Sequence, residues 1–152
     1  MDWNRGTLAV TDDSGRIDIE VVHGFLREVY WAKGIPRETL LKAIESSLCF
    51  SAFDGDEQIG FARVITDRAT FAYLSDVFVL EQHRGRGASR FMMDCIMMHP
   101  DLQGLRRWTL LTDSAHDLYR KYGFTDIADP SSHMEISKPK IYQSEGQNDL
   151  VD

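Results

Sequence analysis

Two glycines and two arginines stand close together in Glu81-Gln82-His83-Arg84-Gly85-Arg86-Gly87-Ala88, directly behind an almost wholly apolar run and directly ahead of a helical stripe. A glycine loop leading from a buried strand into a helix leaves backbone N–H groups without partners at the positive end of the helix dipole, which suits a pyrophosphate. Two more specific phosphate loops are absent: a dinucleotide fingerprint needs a small residue where Arg90 stands, and no Gly-Lys-Ser/Thr of a nucleotide P-loop occurs. Taken alone, the loop equally describes a tight strand-to-helix turn with solvated arginines. Asp76 is the only charge in residues 71–80. A lone carboxylate in an apolar strand suits a general base, and it would otherwise be satisfied by backbone N–H groups or by an arginine such as Arg63. His23, His83, His99, His116 and His133 show no metal-ligand spacing such as HExxH. Ser114-Ala115-His116-Asp117 gathers the residue types of a hydrolytic triad, but consecutive positions on a helix do not meet in triad geometry.

The elements that must position these residues are legible from periodicity. Val22, Phe25, Leu26, Val29 and Tyr30 recur at helical spacing with Asp18 placed to cap the start. After Gly34, a second helix begins near Pro36 and is expected to bury Leu40, Leu41, Ile44 and Leu48 on one face. Residues 49–53 and 58–65 read as a hairpin around Asp54-Gly55-Asp56, and Asp67-Arg68 marks the next turn. Residues 71–80 are too short for a typical buried helix and read as a central strand; the glycine loop follows, then a helix through Ala88, Phe91, Met92, Cys95 and Ile96 that ends before Pro100. A strand over 106–111 precedes a short helix capped by Thr112 or Asp113, carrying Ala115, Leu118, Tyr119 and Tyr122 and stopped by Gly123. Two short strands are expected near 124–127 and 133–137. This order describes an α/β protein with a mixed, mostly antiparallel central sheet and helices on both faces.

Length and charge narrow the functions available. The 152 residues fit one domain, drawn here over 1–140, with 141–152 as a flexible acidic tail. With 17 basic and 24 acidic side chains the net charge is −7, which argues against a surface built to neutralise nucleic-acid phosphates. Cys49 and Cys95 sit in apolar stretches without CxxC spacing and read as buried thiols, with no metal site expected. No apolar run approaches the ~20 residues of a membrane span, and the first ten residues carry charge instead of a leader's apolar core, so a cytoplasmic protein is expected.

The combination Gln82-x-x-Gly85-x-Gly87-Ala88 after an apolar strand resembles the acyl-CoA pyrophosphate loop of the GNAT (Gcn5-related) N-acetyltransferase superfamily. Downstream, Ala115-x-x-Leu118-Tyr119-x-x-x-Gly123-Phe124 is similar to that family's second motif, and the separation of one helix plus one strand matches as well. The likeness runs roughly over residues 7–137 and is to the small stand-alone bacterial members. It implies acetyl transfer from acetyl-CoA to a primary amine by direct attack in a ternary complex, with no metal.

Carried onto this chain, the resemblance implies that backbone groups of Val77, Phe78 and Val79 pair with the pantetheine arm, while Gln82, Arg84, Gly85, Arg86, Gly87, Ala88 and Ser89 hold the pyrophosphate. Tyr119 matches the residue that protonates the departing thiolate, a phenol being protonated at neutral pH; its bland alternative is a core tyrosine, with Tyr122 as backup donor. Where the family often carries an Asn to contact pantetheine or amine, this chain has Thr112, a shorter side chain that could equally be a helix cap. Asp76 is the candidate base, with an ordered water as the other route, and a backbone N–H near Val77 would meet the oxyanion. Acceptor choice in this fold falls to the link between the first two helices, here containing Tyr30 and Trp31. The acceptor is expected to be a small-molecule or peptide amine, cationic by preference, and a homodimer is a weak expectation. Two rival readings are an acyl-CoA-binding regulatory module without turnover and an interaction domain whose glycine turn is only a turn.

Overall fold

The computed structural model describes residues 1–143; of the expected tail, 141–152, residues 144–152 lie outside the described residues. Six strands form one sheet in chain order: β1 (Asp2–Arg5), β2 (Leu8–Thr11), β3 (Leu48–Asp54), β4 (Glu57–Thr66), β5 (Phe71–Val79) and β6 (Arg107–Leu110). All neighbours are antiparallel except β5 and β6, which run parallel. Between β2 and β3 lie α1 (Ile19–Leu26) and α2 (Arg37–Glu45); α3 (Ala88–Met98) connects β5 to β6, and α4 (His116–Arg120) follows β6.

The sheet separates two apolar clusters. On one face α3 buries Phe91, Met92, Cys95 and Ile96 against Val10, Phe50, Ala62, Val64 and Leu74, and Tyr119 joins them from α4. On the other, Val22 and Leu26 of α1 and Leu40 and Ile44 of α2 close over Cys49, Phe61 and Phe78. Burial pushes both thiols up to about 12, as expected of inert cysteines. The local signals work as their chemistry dictates: the Asp18 side chain accepts from Val21 N–H at 3.3 Å, and buried Gln58 accepts from Asp18 N–H at 2.7 Å, tying the start of α1 to β4.

Several expectations change. α1 stops at Leu26, so Val29 and Tyr30 belong to a turn closed by Gly34 N–H on the Arg27 carbonyl at 2.8 Å. Leu41 is 40 % exposed, and Leu48 opens β3 instead of extending α2. Residues 124–127 and 133–137 form no strands. Gly123, at φ 94°, turns Phe124 inward against Trp108 and Tyr119, and the Asp129 side chain then caps a short 3-10 turn over Pro130–Ser132. Met134 and Ile136 alternate as a strand would but are 98 % and 95 % exposed; alternation chooses a face, whereas a strand also needs an edge to pair with. Inside the segment expected to be a flexible tail, Tyr142 instead packs with the α1/α2 cluster, its carbonyl lying 2.5 Å from where a Cβ on Gly34 would stand.

Candidate active site

β5 and β6, the last two strands of the sheet, part company partway along β5. Their pairing runs from Phe71 with Arg107 to Leu74 with Leu110 and ends, whereas β5 continues to Val79. The β6-facing edge of residues 75–79, including Val77, Phe78 and Val79, is therefore open to an extended ligand that could pair as an added strand. On its other edge β5 is bulged: Phe61 pairs with Phe78 and Arg63 with Ser75, so Asp76 and Val77 together oppose Ala62. The extra residue puts Asp76 into the left-handed region at φ 53°.

The glycine loop stands at the end of this open edge. Residues 81–83 make a 3-10 turn, Gly85 and Gly87 both sit at φ 82°, and α3 opens with Phe91 N–H bonding the Gly87 carbonyl at 3.0 Å. The N–H groups of Ala88, Ser89 and Arg90 precede that first bond and point out of the helix start, as a phosphate cradle requires. The arginines have other work. Arg84 Nε donates to the Val79 carbonyl at 2.9 Å, and Arg86 Nη2 meets Asp54 at 2.7 Å, holding that carboxyl below its usual range. Both thus tie the loop to the strands beside it. Gln82 is exposed and Ser89 half-buried, and neither side chain bonds another described residue.

Tyr119 packs in the same cluster as Val77 and Ala88 and is only 8 % exposed. Its hydroxyl has no hydrogen-bond partner among the described residues, and burial raises its pKa. Tyr122 differs: its hydroxyl donates to Asp94 at 2.9 Å and is pushed up to about 12 by burial and that carboxylate. The backup donor is thus a strut from the turn after α4 to α3. Thr112 Oγ1 accepts from Ala115 N–H at 3.0 Å, so it serves as a cap just ahead of α4.

On the opposite face, the Asp76 carboxylate is already held at both oxygens. Arg63 Nε donates to Oδ2 at 2.8 Å and Trp31 Nε1 donates to Oδ1 at 2.9 Å. Trp31 meets Tyr30 edge-on at 5.2 Å and leans toward Phe25, which stacks on Phe78 at 4.0 Å. Burial and the neighbouring Asp113 carboxylate raise the Tyr30 phenol. Asp113, read from sequence only as a cap, thereby faces the helix link across the parting of β5 and β6. No local signal announces that approach, since 82 residues of chain separate the two. Two grooves flank the outer side of β6, one reaching Thr112, His116 and Tyr119, and neither includes the glycine loop or Asp76. Among the described residues, no group of three or more His, Cys, Asp or Glu could hold a metal ion, and no helix is long and apolar enough to cross a membrane.

A parted mixed sheet with a backbone cradle at the start of α3 makes an α/β protein able to hold an extended, phosphate-bearing ligand. The acetyltransferase (GNAT) domain family matches residues 45–126. A Gibberella zeae protein assigned by inference as an acetyltransferase is 34% identical over 150 positions, covering 83% of this chain and 84% of that one. The crystal structure of a GNAT-family protein from Xanthomonas campestris pv. campestris superposes with a TM-score of 0.90 at 49% identity, over 93% of this chain and 100% of that one. A Clostridium acetobutylicum protein crystallised with acetyl-CoA shares the fold, with a TM-score of 0.61 at 15% identity over 86% of this chain and 94% of its own. The chain belongs to the GNAT acetyltransferase family, whose reaction is acetyl transfer from acetyl-CoA.

Proposed function

We propose that this protein transfers the acetyl group of acetyl-CoA to a primary amine by direct attack within a ternary complex. The observation that carries the reading is the open edge of β5 beyond Leu74, with the backbone cradle of α3 at its end. Main-chain groups of Val77, Phe78 and Val79 align the pantetheine arm, and the N–H groups from Gly85 to Ser89 take the pyrophosphate. Arg84 and Arg86 act by holding that loop in shape.

In the reaction the amine lone pair attacks the thioester carbonyl carbon, and a backbone N–H of the bulge near Val77 meets the developing oxyanion. The C–S bond then breaks, and the departing thiolate takes the Tyr119 proton, which solvent later restores. The ammonium proton leaves through ordered water; we prefer this to Asp76 as base because both Asp76 oxygens already accept hydrogen bonds. Tyr30 and Trp31 wall the acceptor side. The net charge of −7 favours a cationic small molecule or peptide, and a cytoplasmic location belongs to the same reading.

The first test is the thermal midpoint with acetyl-CoA, using ATP and NAD at equal concentration as controls. Acetyl-CoA at a hundredfold its Kd stabilises the fold by about 2.7 kcal/mol, a rise of several degrees. A flat titration to millimolar acetyl-CoA removes the reading. CoA release with an amine distinguishes the enzyme from a binding module without turnover.

A further inference from the structure

Through its side chain Asp76 links β5, the Arg63 side chain of β4 and Trp31 in the link between α1 and α2. Its residue is 8 % exposed, and the facing Arg63 side chain is 15 % exposed. Arg63 is itself anchored: Nη1 donates to Ser47 Oγ at 3.2 Å, and Ser47 Oγ donates to the Ala43 carbonyl at 2.7 Å in the last turn of α2. The other Asp76 oxygen takes the indole N–H of Trp31, the one hydrogen bond that this side chain makes among the described residues. The Trp31 ring also meets Tyr30 edge-on and Phe25 at a tilt, so the bond to Asp76 is the polar contact that orients the indole N–H. Left-handed backbone is unfavourable for a residue with a Cβ, so the φ of 53° at Asp76 persists because its surroundings hold it there. The register of the bulge sets that conformation, and the two charge-assisted bonds to its carboxylate hold it in place.

We propose that Arg63 and Asp76 are positioning residues for acetyl transfer. Arg63 holds the Asp76 carboxylate, and Asp76 thereby fixes both the bulged segment beside the thioester and the Trp31 indole that walls the acceptor site. The proposal rests on the acetyltransferase reading and adds to it that the acceptor wall and the reacting strand are set by one carboxylate. The link is pinned independently at its far end, where Gly34 lies against the Tyr142 carbonyl. Loss of the Asp76 contact therefore frees Trp31 without releasing the whole link. Arg63 uses two nitrogens on two partners, which a lysine ammonium on a differently shaped stem does not reproduce.

The test compares wild type with Trp31→Phe, Asp76→Asn, Arg63→Lys and the Trp31→Phe/Asp76→Asn double variant. Acetyl-CoA affinity is measured by calorimetry, and acetylation of spermidine and of a lysine-containing peptide is followed by thiol release. Exchange of the indole N–H groups is measured by 15N NMR on the same proteins. Trp31→Phe keeps an aromatic ring while removing the donor and part of the indole's bulk, and because Trp31 is 40 % exposed it is the variant least exposed to misfolding. The expected result is an acceptor KM raised about five- to tenfold in the single variants with acetyl-CoA Kd within about twofold, and a double variant no worse than the poorer single, because one bond is being removed twice. In Arg63→Lys, which leaves Trp31 and its acceptor atom in place, the Trp31 indole exchanges at least about tenfold faster. Unchanged acceptor KM, fully additive effects, or unchanged indole exchange in Arg63→Lys overturns the proposal. If wild type fails to bind acetyl-CoA, the acetyltransferase reading has failed separately; if neither amine is acetylated, the exchange measurement decides alone.

Discussion

A phenol serves as an acid only while it keeps its proton and has no competing partner, and Tyr119 of α4 and Tyr122 in the turn behind it divide on that point. Tyr119 is buried, raised in pKa and unpartnered among the described residues, whereas Tyr122 is committed to Asp94. Tyr119→Phe is expected to leave acetyl-CoA affinity within about twofold and lower kcat by about 10²–10⁴, the usual worth of a positioned acid. Wild-type kcat in that variant takes Tyr119 out of the mechanism. The sequence placed both tyrosines on one apolar stripe, where periodicity gives no means of ranking them and only the family resemblance put Tyr119 ahead of Tyr122. What separates them is a hydrogen bond across 28 residues of chain, between a turn and a helix whose docking no local pattern encodes.

At the scale of elements, the strand–loop–helix unit carries the cofactor. Gly85 and Gly87 are required for their backbone alone: a Cβ on either would meet no atom within 4 Å, yet both sit at φ 82°. Gly87→Ala is thus expected to cost about 1–2 kcal/mol of stability through strain and to weaken acetyl-CoA binding about tenfold by turning the N–H groups out of line. Denaturant unfolding and calorimetry on one preparation check both, and unchanged affinity would show that the turn is only a turn. This unit was readable because a short apolar run, two glycines and a 3.6-residue period are all local. The bulge beside it was not, since it exists only in the register between β4 and β5.

Across the whole molecule, the N-terminal hairpin is joined to the end of α3 through Asp12. His99, buried just beyond α3, lies 2.8 Å from Asp12, and the Met1 ammonium lies 2.5 Å from the same carboxylate. Burial pushes the Asp12 carboxyl up, but these two partners outweigh it and leave it below its usual range. A depressed folded pKa contributes stability that is complete above the ordinary carboxylate range and is lost as pH falls through the folded value. Asp12→Asn is accordingly expected to lower stability at pH 7 by about 1.5–3 kcal/mol and to flatten the acid limb of the stability curve. Thermal melts from pH 2 to 7 check it; parallel curves for the two proteins would assign the acid limb to other groups.

The amino-acid sequence by itself determined the order and kind of most elements, the glycine turn and the family, because each rests on periodicity, capping or turn chemistry within a few neighbouring residues. It also supplied the two partners now found at Asp76, naming Arg63 as one way to satisfy the carboxylate and Trp31 as a wall of the acceptor site. Only the tertiary structure decided that both bind the same carboxylate, that Arg84 and Arg86 brace the loop, and that residues 124–137 remain unpaired. These outcomes depend on which surfaces meet after the sheet twists and the helices dock, and hydrogen bonds between residues 13 to 45 positions apart leave no mark on local pattern.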